Sequence, residues 1–116
     1  MTTPTDNRTP AEVNRSIHML LGHTPHGFHW DTPDRDISSA DYYHNLNALS
    51  EPEAKLREAG LWLTVEQTPH GVSAWWQRPI DEWTRYGIHE AFVMVDEAAA
   101  RALAAEAALR AMQEAK

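Results

Sequence analysis

Three closely spaced histidines are the residues best able to do chemistry in this sequence. His23, His26 and His29 are three residues apart, and Asp31 follows them. Zn²⁺ takes three or four nitrogen, sulfur or oxygen ligands, so these side chains could form a site with Asp31 or His44. Their spacing, across a proline and a glycine, matches no familiar metal motif. We therefore expect solvated or core histidines and no cofactor or metal, and zinc is the alternative.

A second group of candidates surrounds a predicted β-hairpin and is rich in tryptophan, tyrosine and arginine, the types that carry most interface energy. Trp75 and Trp76 are adjacent on one strand and must point to opposite faces, so at most one belongs to any single pocket. The alternative role of the tryptophans is to fill the core. The predicted binding residues are Trp75, Trp76, Arg78, Trp83, Arg85 and Tyr86.

The sequence contains no recognisable catalytic set. Paired carboxylates such as Asp81 with Glu82, or Asp34 with Asp36, could act as acid and base, but acidic loop residues usually face solvent. A glycine-rich phosphate loop, a nucleophile elbow and a His-Glu-x-x-His motif are all missing from the sequence. We predict a protein that is not an enzyme.

Composition narrows the class of protein further. With 116 residues, 42% of them apolar, the chain is long enough to bury one core. A net charge of −7 with ten Lys and Arg lacks the basic footprint of direct nucleic-acid binding. The absence of cysteine excludes disulfides and thiolate nucleophiles. We find neither a signal peptide nor an apolar run of about 18 to 20 residues, so we expect a cytoplasmic protein that does not bind membranes.

Capping signals predict three helices in a single domain of residues 9–116, after a disordered tail of residues 1–8. Thr9 and Glu12 form a capping box for a helix over residues 10–21, which Gly22 ends. The second helix runs to about Glu58. It begins at the capping box of Ser50, after a separate turn through residues 42–49, or earlier. The third helix follows Asp96 to Lys116, and its apolar stripe is Ala98, Ala102, Ala105, Leu109 and Met112.

Strand patterns occupy the region between the second and third helices. Apolar residues alternate over residues 61–66 and 72–77, which predicts an antiparallel hairpin. A turn-rich segment at 79–87 precedes a predicted strand at 88–95 with both faces covered. Residues 22–41 form a long connection with one short strand at 28–30. The predicted fold is α+β, a three-stranded antiparallel sheet flanked by helices.

Several segments also resemble a known family. The run from Asp41 to Glu53, the hairpin after it and the alanine-rich helix from Asp96 to Met112 resemble the phage ABA sandwich family of small phage and prophage proteins. The stretch from Val13 to Gly22 is similar to the leading helix of that family. Pro52 departs from the pattern, because it stands where the family continues its helix. The resemblance implies an α/β/α layered domain from a phage or prophage. It points to no particular activity and to no site residues.

Two functions follow as hypotheses. In the first, a phage-derived accessory protein binds a host or phage protein through its aromatic hairpin, and forms a homo-oligomer through sheet edges or the alanine stripe. In the second, the protein is a sponge for a nucleotide signal of antiphage defence, with tryptophan stacking and charge pairing from Arg78 or Arg85. The acidic balance of the chain favours the first.

Overall fold

Three α-helices and two antiparallel sheets are seen in the computed structural model, which describes residues 9–34, 36–77, 85–86 and 96–114. The elements are α1 (Pro10–Leu20), β1 (Thr24–His26), β2 (His29–Asp31), β3 (Ile37–Ser38), a 3-10 turn (Leu46–Leu49), α2 (Ser50–Glu58), β4 (Trp62–Thr68), β5 (Gly71–Gln77), β6 (Arg85–Tyr86) and α3 (Glu97–Glu114). The small sheet has the order β1-β2-β3 and the large sheet β4-β5-β6. The predicted α+β class, with a three-stranded antiparallel sheet beside helices, is confirmed.

Helix α1 begins at the predicted capping box. The Glu12 backbone N–H donates to Thr9 Oγ1 at 3.2 Å, and the Thr9 N–H donates to Glu12 Oε1 at 3.4 Å. Pro10 occupies the first turn, where its missing N–H costs no hydrogen bond. The predicted tail, residues 1–8, lies outside the described residues.

Helix α2 begins at Ser50, the later of the two predicted starts, directly after the 3-10 turn. The predicted capping box is not formed, because Leu49 precedes the helix in helical conformation and Ser50 already belongs to its first turn. Glu53 is buried and forms an ion pair with Arg101 of α3 instead of reaching back to Ser50.

The predicted hairpin is confirmed as β4 and β5, with a register from Trp62 opposite Gln77 to Thr68 opposite Gly71. The third strand differs from the prediction. β6 pairs Tyr86 with Trp76 inside the segment expected to be turns, since two residues are too few to show a period of two. The predicted strand at 88–95 lies outside the described residues.

Helix α3 packs against β5, α1 and α2, and is therefore the central helix of the described core. Its buried surface is wider than the predicted stripe, because alanine side chains let neighbours approach on several sides. The stripe is covered within the chain and is not left for a second copy. The buried apolar residues of α3 are Ala98, Ala99, Ala100, Ala102, Leu103, Ala104, Ala105, Ala108 and Leu109.

Asp96 caps α3 as predicted, because its Oδ1 accepts from the Ala98 N–H at 2.8 Å. In the parts of the chain that the structure describes, no helix is both long enough and apolar enough to cross a membrane.

Candidate functional site

The small sheet is built around a tight turn inside the predicted long connection of residues 22–41. Residues Gly27 and Phe28 join β1 to β2, with His26 directly opposite His29. Gly27 has a φ of +63°, the positive value that two-residue hairpin turns need. Instead of the predicted single strand at 28–30, the structure has three short strands. Strands of two or three residues, one of them with a proline at position 25, are too short to show an alternating pattern.

Strand alternation divides the side chains of this hairpin between two faces. Trp30 points to the protein, where its ring stacks on His18 of α1 at a centroid distance of 4.7 Å and an angle of 5°. His29 and Asp31, on either side of Trp30, point the other way, together with the cross-strand partner His26. The fold therefore anchors one face and presents two imidazoles and a carboxylate on the other.

The three presented side chains converge. Asp31 Oδ2 lies 3.0 Å from His26 Nδ1, and Asp31 Oδ1 lies 3.6 Å from His29 Nε2. One ligand atom from each of the three side chains can be chosen so that all lie within 4.8 Å of one another. The imidazole rings are 4.9 Å apart between centroids. This outer cluster joins two of the three histidines singled out in the sequence with the predicted carboxylate.

His23 belongs to a different, buried group. Its Nδ1 lies 2.8 Å from Nδ1 of His18, and its Nε2 lies 3.1 Å from Glu51 Oε2. His18 Nε2 lies 3.2 Å from the carbonyl oxygen of Ala40, and the Tyr42 hydroxyl lies 3.4 Å from His18 Nδ1. We call His18, His23, Tyr42 and Glu51 the inner cluster.

The end of α1 creates this histidine pair. Gly22 has a φ of +85°, its N–H donates to the Met19 carbonyl at 3.0 Å, and the His23 N–H donates to the His18 carbonyl at 2.9 Å. These two bonds make a Schellman motif. The residues joined by its longer-range bond, here His18 and His23, usually form an apolar side-chain contact. Here that contact is made by two imidazoles.

The neighbours of the two rings fix where protons must sit. A carbonyl only accepts, so His18 Nε2 carries a proton, and the neutral ring then accepts at Nδ1. His23 must therefore donate from Nδ1. Its Nε2 faces the Glu51 carboxylate at 3.1 Å.

Burial shifts the ionisation of this cluster. Desolvation lowers the pKa of His18, and the charge of His23 adds to that effect, while the Ala40 carbonyl and Glu51 act against it. Desolvation also raises the pKa of Tyr42, with a further contribution from Glu51. His18 is therefore held neutral at pH 7, as the hydrogen-bond count requires.

The pairing of His18 with His23 differs from the prediction, although the sequence carries a signal for it. Once Gly22 is predicted to end α1, the Schellman pattern places residues 18 and 23 side by side. Both positions are histidine, so the pattern predicts a histidine pair at the end of α1.

Phe28, at the tip of the turn, is the most exposed of the large apolar residues that the structure describes. Its ring is fully exposed and takes no part in the core. The other exposed large apolar residues are Met19, Ile37, Leu46 and Trp62.

The predicted aromatic binding residues are separated by the structure. Trp76 is fully buried in the core, whereas Trp75 lies on the opposite face of β5, partly exposed, with its indole N–H donating to Gln77 Oε1 at 3.0 Å. For Arg85 and Tyr86 the structure describes the strand pairing but not the side chains. Arg78 and Trp83 lie outside the described residues.

A cleft of about 550 Å³ lies between α1 and α3. Arg15 and Arg110 line it with Met19 and Leu20. Arg110 is paired with the buried Glu106, whereas Arg15 has no ion pair within the described part of the chain. Glu12 also lines the cleft, which therefore combines an apolar wall with charges of both signs.

Comparison with family models, with curated proteins and with solved structures found no match. The relation to the phage ABA sandwich family therefore stays a prediction.

Proposed function

We propose that this protein is a non-enzymatic binding protein that docks onto a protein partner through Phe28. The observation that carries the proposal is the fully exposed phenylalanine at the tip of a two-residue turn. The sequence predicts that the aromatic residues between Trp75 and Tyr86 bind the partner, whereas we place this role on the β1–β2 hairpin.

The anchoring of the small sheet makes Phe28 an effective docking residue. The stacking of Trp30 on His18 holds the hairpin on α1, so the tip is positioned before the partner arrives. Burying a phenylalanine side chain contributes roughly 1.5 to 3 kcal/mol. A rigid aromatic ring gains this energy with little loss of side-chain entropy.

The partner should offer an apolar pocket with a basic rim. Asp34 and Asp36 are exposed beside the hairpin, and the chain carries a net charge of −7. Opposite charge on the partner would speed association and fix orientation. The predicted phage origin makes a host or phage protein the partner class.

The experiment is photo-crosslinking in the natural host cell with p-benzoylphenylalanine at position 28. The matched control places the same residue at Met19, which is 57% exposed but lies on α1. We expect one protein to crosslink from position 28 and not from position 19. No adduct, or the same adducts from both positions, would contradict the proposal.

A second candidate function, binding of a small phosphorylated ligand, is favoured by the cleft between α1 and α3. Its volume of about 550 Å³ falls in the range of small-molecule pockets, and Arg15 could pair with phosphate. The test is thermal unfolding with nucleotides and cyclic dinucleotides. Stabilisation that is lost in Arg15→Ala would support this function, and no stabilisation by any of them would rule it out.

A further inference from the structure

We propose that His26, His29 and Asp31 form a binding site for a divalent transition-metal ion of the zinc class. The proposal rests on the geometry of the outer cluster and not on the docking of Phe28. The proposed ligands are not the three evenly spaced histidines of the sequence. The fold buries His23 in the inner cluster and brings Asp31 to His26 and His29 instead.

The backbone of the hairpin brings the three ligands together. His26 and His29 are a directly opposed cross-strand pair, and Asp31 follows His29 by two residues on the same face. Metal–ligand distances of about 2.0 to 2.2 Å place ligand atoms roughly 3 to 4 Å from one another. The observed separations of 3.0 and 3.6 Å to the Asp31 oxygens already meet that requirement, and the widest, 4.8 Å, closes by a small side-chain rotation.

The same contacts show what the ion would replace. Asp31 Oδ2 and His26 Nδ1, 3.0 Å apart, are joined by a hydrogen bond in the free protein. An ion would take the place of that proton, with the nitrogen lone pair and the carboxylate both directed to the metal. The neutral ring keeps its single proton, which moves to His26 Nε2. Protons compete with the ion for the imidazole nitrogens, so binding weakens as the pH is lowered.

The donor types select the class of ion. Two imidazoles and one carboxylate suit zinc and its neighbours, whereas calcium and magnesium prefer sites made of oxygen. Three protein ligands leave at least one coordination position for water or for a side chain of another molecule. His26 is 69% exposed at its side chain, so an ion can enter from solvent.

The remaining described histidines lack this arrangement. His23 is buried, and both of its ring nitrogens already have polar neighbours, one of them Glu51. His44 lies 2.9 Å from Asp41 in an exposed pair that resembles half of the outer cluster. His44 is therefore a matched control, because its pair has one imidazole and one carboxylate but no second imidazole.

The experiment is calorimetric titration of the untagged full chain with Zn²⁺, repeated with Co²⁺ to record the absorption of the bound ion. We expect one ion per chain. Asp31→Asn, His26→Ala and His29→Ala should each weaken binding at least about tenfold. His44→Ala and Phe28→Ala should leave the affinity within about twofold.

Circular dichroism of each variant checks that the exposed substitutions leave the fold intact. The proposal is overturned if no stoichiometric binding occurs, or if the three site variants bind as tightly as the unaltered chain. It is also overturned if His44→Ala weakens binding as much as they do. Phe28→Ala should lose partner binding but keep metal binding, so the two proposals can fail independently.

Discussion

His18 makes the stability of the protein sensitive to acid. Its pKa in the folded protein is lowered from 6.5 by burial, so below pH 6.5 the unfolded chain binds a proton that the folded chain rejects. The stability that neutral His18 contributes is complete above pH 6.5 and is lost as the pH falls toward the lowered value. The groups facing its ring are His23, Tyr42 and, through His23, Glu51. We expect a lower free energy of unfolding at pH 5 than at pH 7.

His18→Gln tests this assignment, because it removes the titrating ring while keeping a polar side chain. We expect urea unfolding of this variant to depend less on pH between 7 and 5 than that of the unaltered chain. His70→Gln is the control, since His70 is an exposed histidine in the β4–β5 turn. An unchanged pH dependence in His18→Gln would contradict the assignment.

Gly22 ends α1 in a backbone conformation that favours glycine. An added Cβ would meet Pro33 Cγ at 3.7 Å, an ordinary contact, so the cost of a substitution comes from the φ of +85° alone. Gly22→Ala should destabilise the fold by about 1 kcal/mol, and Gly22→Asn by less, because asparagine tolerates this backbone region better. Thermal unfolding of the pair measures it. Equal stability of Gly22→Ala and the unaltered chain would contradict this account of the helix end.

At the scale of elements, a buried ion pair fastens α3 to α2. Arg101 Nε donates to Glu53 Oε2 at 2.9 Å, Arg101 also contacts Glu53 Oε1, and Glu97 supplies a further 2.9 Å contact. These carboxylates, Glu53 first, raise the pKa of Arg101. Among the described residues, Arg101→Met leaves the buried Glu53 only the 3.7 Å contact to the exposed Arg57, and should cost about 3 kcal/mol in urea unfolding.

The double variant Glu53→Leu with Arg101→Met is the control for that prediction. It removes both charges together, so it should recover most of the lost stability. Arg57→Met should cost less than about 1 kcal/mol, because Arg57 is largely exposed. A loss of the same size in all three variants would show that packing, and not the buried charge, holds the helices together.

Some elements of the fold were predictable from the sequence and others were not. The start of α1 follows from contacts within four residues, and the β4–β5 hairpin from alternation over seven-residue strands, so both were predictable. The small sheet was not, because its strands are too short for a periodic pattern. The partner of Glu53 was also beyond reach, since Arg101 is 48 residues away in sequence.

At the scale of the whole molecule, the described core is centred on α3, and the small sheet lies at the end of α1. The inner cluster joins the two, through Trp30 stacked on His18. The outer cluster and Phe28 are carried on the same hairpin, so metal binding and docking would share one surface. Acid conditions that charge His18 should loosen this hairpin before they unfold β4 and β5, which hydrogen exchange can test residue by residue.

Binding of a partner protein through Phe28 can be measured directly. Its most direct test is the affinity of the crosslinked partner for the unaltered chain, for Phe28→Ala and for Met19→Ala, measured by calorimetry. We predict that Phe28→Ala weakens binding by about 30-fold, the loss of roughly 2 kcal/mol typical of a central docking residue, and that Met19→Ala changes it by less than about threefold. Equal affinity of Phe28→Ala and the unaltered chain would show that Phe28 does not bind the partner.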